Sequence, residues 1–130
     1  MRTLILLSAL LLGGCANIAG LIPSFNDVNQ SSRIVDVELA VDSLDCRQSQ
    51  AAQVARIRDN LRWFELYSEA KGSRQQDVLR LTAPIKATVD EFYKRVTDPE
   101  KRDNPIYCDL KKRVLQEQTK RAAQAVLGRF

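Results

Sequence analysis

Asp90-Glu91 and Asp98-Pro99-Glu100 are pairs of carboxylates that could act together in a chain of 130 residues with no histidine. Two neighbouring carboxyl groups can serve as acid and base in glycoside cleavage. Without histidine, however, the usual general base near neutral pH and the commonest metal ligand are both missing. Each acidic pair also lies beside basic residues, and Asp90–Lys94 and Glu91–Arg95 have the i,i+4 spacing of exposed helical ion pairs. There is no G-x-S-x-G elbow and no phosphate-cradling glycine loop. These absences point away from an enzyme, and no cofactor or metal is expected. The remaining side chains with distinctive chemistry are three cysteines (Cys15, Cys46 and Cys108), the aromatic stretch LRWFELY around Trp63 and Tyr67, and a basic run at Lys111, Lys112 and Arg113.

Cys15 follows an N-terminal segment of uneven character. Arg2 is its only charge, Leu4 to Leu12 is almost wholly apolar, and Gly13-Gly14 precede the cysteine. A spanning helix needs about 20 apolar residues, and this run is too short. A positive start, a short apolar core and a small-residue exit mark a secretory signal over residues 1–14. Leu12-Gly13-Gly14-Cys15 resembles the lipobox of bacterial lipoproteins, in which the cysteine receives lipid and becomes the first residue of the mature chain. The resemblance implies acylation at Cys15, and with Ala16 rather than Asp next, retention in the outer membrane, facing the periplasm. Several acyl chains, at about 0.8 kcal/mol per buried methylene, make such an anchor stable. The lipid bilayer is thus the first expected partner. In that exported setting Cys46 and Cys108 form an even pair that reads as a disulfide. The full chain has 20 Lys+Arg against 16 Asp+Glu, and loss of Arg2 leaves a formal charge of +3. That mild excess does not indicate a nucleic-acid partner.

The elements that must position these residues are read from periodicity. Residues 15–32 carry Gly20, Pro23, Asn26, Asn29 and Ser31-Ser32, which suit a tether. Residues 33–130 then form one domain. In RIVDVELAVDSLD the apolar residues fit strand alternation or, through Ile34, Val37, Val41 and Leu44, a helix face. No other segment offers a partner strand, so helix is preferred. Ala51, Val54, Ile57, Leu61 and Phe64 continue a helical stripe, closed by Gly72. A second helix over 73–97 carries Val78, Leu81, Ile85, Val89, Phe92 and Val96, with a kink expected at Pro84 and a Ser73–Gln76 capping box at its start. A third, over 105–127, draws its apolar side from Ile106, Leu110, Val114, Ala122 and Val126.

The fold expected is therefore all-α: an up-down-up bundle with a long first helix at about 34–71, stapled by one disulfide. At equal rise per residue the second helix ends level with about residue 47, which brings Cys108 beside Cys46. The same reckoning leaves residues 34–45 as an arm beyond the bundle, with Val37 and Val41 unpartnered. Exposed apolar surface of that kind marks a contact site. Trp63 and Tyr67 lie four residues apart on a helix flank and are further candidate contacts, being residue types favoured as interface anchors. Eight of the last 30 residues are Lys or Arg and three are Asp or Glu. Lys111, Lys112 and Arg113 could therefore meet anionic headgroups or an acidic partner.

Two functions remain. One is a non-catalytic lipoprotein that binds another envelope protein and helps place or stabilise it. In general architecture, though in no motif, such a protein looks like the pilotins. The other is a binder or inhibitor acting at the envelope surface through the basic third helix, on peptidoglycan, lipopolysaccharide or a lytic enzyme. A second copy of the chain is a further candidate partner.

Overall fold

The computed structural model describes residues 27–128. The expected signal over residues 1–14, Cys15 and the expected tether as far as residue 26 lie outside the described residues. Four helices follow in order: α1 (Val28–Asp42), α2 (Gln50–Ala70), α3 (Gln76–Val96) and α4 (Pro105–Leu127). Among the described residues there is no strand, which resolves the ambiguity of residues 33–45 in favour of helix. None of these helices is long and apolar enough to cross a membrane.

The expected first helix of 34–71 is two helices. The stretch 43–49, SLDCRQS, offers the backbone alternatives to helical bonds. The Asp45 carboxylate accepts from the Arg47 amide at 2.9 Å and the Gln48 side chain at 3.0 Å. Gln53 accepts from the Asp45 amide at 2.8 Å and donates to its carbonyl at 3.0 Å. The α2 N-terminus is capped from a distance: the Gln50 amide donates to Asp103 Oδ1 at 3.0 Å. Asp103 itself lies in the left-handed region, φ 57°. At the other end, α1 begins earlier than the expected domain boundary at 33. The Asp27 side chain accepts from the Asn29 and Gln30 amides and starts the helix at Val28.

Each helix runs antiparallel to the next. The start of α1 meets the end of α2 through Gln30 and Ser68 (3.0 Å), and the end of α3 meets the start of α4 through Glu91 and Lys111 (2.6 Å). The ring closes because α1 packs on α4 as well as on α2. The result is an up-down-up-down bundle of four helices rather than three. Residues 34–45 fold back into it instead of projecting, so Val37 and Val41, with Ile34, are wholly buried. They are core, not candidate partner contacts: folding α1 onto α2 and α4 covers the face that a continuous first helix would leave bare.

Cys46 and Cys108 are disulfide-bonded, Cα atoms 5.6 Å apart across 62 positions. The levels agree as expected because the 43–49 turn lies at the pole where the arm was thought to leave. Gly72, at φ 91°, closes the α2–α3 corner. Ser73 makes no side-chain cap there; Ser73–Gln75 form a 3-10 turn before α3 instead. α3 continues through the exposed Pro84. Its inward stripe substitutes Thr82, fully buried, for Leu81, which is outward. The Thr82 hydroxyl lies within hydrogen-bonding reach of the Val78 and Leu79 carbonyls, which makes its burial tolerable. In α4 the inward residues are Cys108, Leu115, Thr119, Ala122, Ala123 and Val126, and the expected Ile106, Leu110 and Val114 face solvent.

Because α1 is core, Val37→Asp combined with Val41→Asp should destabilise the bundle as severely as Leu61→Asp or Val89→Asp, by about 4 kcal/mol or more in urea titrations.

Candidate functional site

The α1/α2 groove carries two of the exposed apolar side chains, Leu39 and Trp63. It is built as successive rungs between antiparallel helices. At one end Asn29 donates to the Tyr67 hydroxyl at 3.0 Å. The next rung sets the Arg33 guanidinium 4.4 Å from the centre of the Trp63 ring. Further along, Asp36, Leu39 and Ala40 of α1, with Ser43 just beyond it, face Arg56 and Asn60 of α2 around an open hollow of about 450 Å3. The far rung is Arg56 donating to the Ser43 hydroxyl at 3.2 Å.

Trp63 and Tyr67, both candidates on sequence, are brought together as a parallel stack with ring centres 4.9 Å apart and 9° between planes. Lys71 lies 5.2 Å from the Tyr67 ring on the other side, so cations bracket the aromatic pair. Asp27 anchors this end. Its carboxylate pairs with Lys71 at 3.1 Å and accepts from the Tyr67 hydroxyl at 3.2 Å. Burial alone would raise the Asp27 carboxyl, but hydrogen bonds from Lys71, the Gln30 amide and Tyr67 outweigh it and hold the group below its ordinary value. The aromatic pair is thus tied to the start of α1 and the end of α2, while Trp63 stays 39% and Leu39 60% exposed. A fixed aromatic and an exposed aliphatic side chain along one groove form an apolar docking edge with charged margins. On sequence Leu39 is one of the apolar residues of the expected arm, with Ile34, Val35, Val37 and Val41; the structure leaves it exposed and buries Ile34, Val37 and Val41.

The basic run of α4 divides. Lys111 is held by Glu91 at 2.6 Å. Lys112 donates to the Leu44 carbonyl at 2.7 Å, satisfying a group at the end of α1. Arg113 is exposed, and its Nε reaches only the Asp109 carbonyl of its own helix. These three residues therefore do not form one cationic face.

The acidic pairs are also taken up in the frame, though not by the partners expected. Asp90 bonds Lys86 and, at 3.2 Å, Arg58. Its hydrogen bond with Lys86 is the main reason its carboxyl sits below the ordinary range. Glu91 pairs with Lys111 and accepts from Tyr107 at 3.2 Å, and Asp98 pairs with Lys101 at 2.9 Å. Glu65 differs: its carboxyl is pushed up by burial, only partly offset by Lys86 and Arg62, the nearer of which is 4.0 Å away. Among the described residues no three His, Cys, Asp or Glu side chains are grouped to hold a metal ion.

Asp27→Ala should cost about 1–2 kcal/mol at neutral pH, through the lost cap and ion pair. The native carboxyl titrates below its ordinary value of 3.8. The parent therefore keeps this contribution above that value and loses it as pH falls through the lower native one. Urea titrations should show a constant gap between parent and variant from about pH 7 to 5 that narrows below about pH 4.

The chain matches no protein-family model, and it has no significant similarity to any curated protein or solved structure.

Proposed function

We propose that this chain is a non-catalytic lipoprotein of the bacterial outer membrane, anchored through Cys15, that receives an amphipathic helix of another envelope protein in its α1/α2 groove. In doing so it would place or stabilise that protein, in the manner of the pilotins it resembles in general build. The observation that carries the reading is the groove itself, with Leu39 60% and Trp63 39% exposed on facing helices. An amphipathic helix presents apolar anchors at i, i+3, i+4 and i+7, a spacing suited to a groove between two helices. The margins are charged with both signs, Arg33 and Arg56 against Asp36, which suits a partner helix with a polar border rather than a wholly anionic ligand. The lipobox resemblance supplies the address, and the chain between Cys15 and α1 would join the bundle to the bilayer.

Leu39→Asp combined with Trp63→Ala should abolish recovery of the envelope partner in crosslinking pull-downs of the lipidated chain, while thermal melting shifts by only a few degrees, both positions being outside the core. Capture by the parent should survive moderate salt; a steep loss would favour binding through the basic α4 instead. Cys15→Ser should move the chain from the detergent phase to the aqueous phase or leave it unprocessed. Detergent partitioning like the parent's would remove the lipid anchor from the proposal.

A further inference from the structure

α4 carries two apolar stripes on opposite sides, and the bundle covers only one. Ile106, Leu110 and Val114 make the other, 82%, 55% and 39% exposed. Spaced by four, they form one line about 12 Å long on the outer face of the helix. Glu117, paired with Arg121 at 3.7 Å, ends it. Along the flank nearer α1 stand Asp109 and Arg113. Among the described residues the Asp109 carboxylate and the Arg113 guanidinium make no ion pair, the arginine reaching only the Asp109 backbone at 3.4 Å. On the other flank Lys111 is already engaged by Glu91.

We infer that this face is a self-association surface, on which two copies of the chain pair their α4 helices antiparallel about a two-fold axis beside Leu110. Such an isologous contact sets Leu110 on the partner's Leu110 and Ile106 on the partner's Val114. An axis perpendicular to both helices keeps like flanks on the same side. Asp109 then stands about 3 Å along the helix direction from the partner's Arg113, and the reverse pair forms by symmetry. Two unpaired charges on each copy thus become two reciprocal carboxylate–guanidinium pairs bordering an apolar seam. Parallel pairing would instead set the Asp109–Arg113 flank against Lys111, whose charge Glu91 already meets. One helix pair covers less than the roughly 800 Å2 per partner of a standard interface, so the association is reversible and concentration-dependent. It leaves the α1/α2 groove open, so this inference and the proposed function fail separately.

The test is oxidative crosslinking of the purified full chain carrying single cysteines on the outer face, with peptide mapping to verify that Cys46–Cys108 stays intact. Leu110→Cys should give a covalent dimer. Ile106→Cys and Val114→Cys alone should give little, since each meets the other's position, and a mixture of the two should give the heterodimer. In the Leu110→Cys background, Asp109→Arg or Arg113→Asp should cut dimer yield several-fold, and the two together should restore it. No dimer at position 110, equal yields at all three positions, or failure of the charge swap to restore pairing would overturn the inference. So would protection of the position-110 thiol by phosphatidylglycerol vesicles without dimer, which would assign the face to lipid.

Discussion

Tying Cys108 to Cys46, with Cα atoms 5.6 Å apart, decides which way α4 faces. α4 has two stripes of helical period on opposite sides, one through Ile106, Leu110 and Val114, the other through Cys108, Leu115, Ala122 and Val126. A sulfur at position 108 directed into the bundle selects the second and leaves the first in solvent. The same pole carries the 43–49 turn that ends α1 and the Asp103 side chain that caps α2, so three chain segments are joined there by one covalent bond and a few polar contacts. Closing a loop of this length contributes about 2–4 kcal/mol, chiefly by restricting the unfolded chain. In a domain of about 100 residues that is a substantial share of the net stability.

Among the described residues the opposite pole has no covalent link and relies on polar side chains. Gln30, almost wholly buried, donates to Ser68 at 3.0 Å and Gln75 at 3.1 Å, joining α1, α2 and the 3-10 turn. Beside it Asp27 binds Lys71 and Tyr67. These contacts fix the aromatic stack at the end of the groove without filling its middle. Ends tied by polar contacts and an open centre suit the proposed capture of a helix, because a preformed site loses little conformational entropy when a partner docks.

The charge pattern tells a similar story of local use. A formal excess of positive charge suggested a cationic face on α4, yet Lys111 and Lys112 are bound to groups on α3 and at the end of α1. Basic residues counted along a sequence are distributed around a helix, and those turned toward a neighbour find its acids or its free carbonyls first. What remains on the outer face is a mixed set of Asp109, Arg113 and Lys120, with the Glu117–Arg121 pair, beside apolar residues.

How much could be read in advance follows from the range of the physics involved. Helix periodicity, the Gly72 corner and the Pro105 start depend on residues within a turn or two, and the boundaries of α3 and α4 and the cysteine pairing were all legible. The break at 43–49 was not. Ser43, Asp45 and Ser49 are turn formers, but an apolar pattern on both sides spoke for continuity, and only docking against α2 and α4 makes the reversal favourable by burying Ile34, Val37 and Val41. Trp63 and Tyr67 could be named from type and spacing; Leu39 could not be told apart from Val37 and Val41, because which side of α1 is covered depends on its packing against α2 and α4. The sequence by itself determined that this chain is helical, cross-linked and poor in catalytic groups. The tertiary structure decided which apolar stripe of α4 is covered, since a helix with two such faces has no local reason to prefer either, and the link to Cys46 together with burial against α1 and α3 breaks the tie.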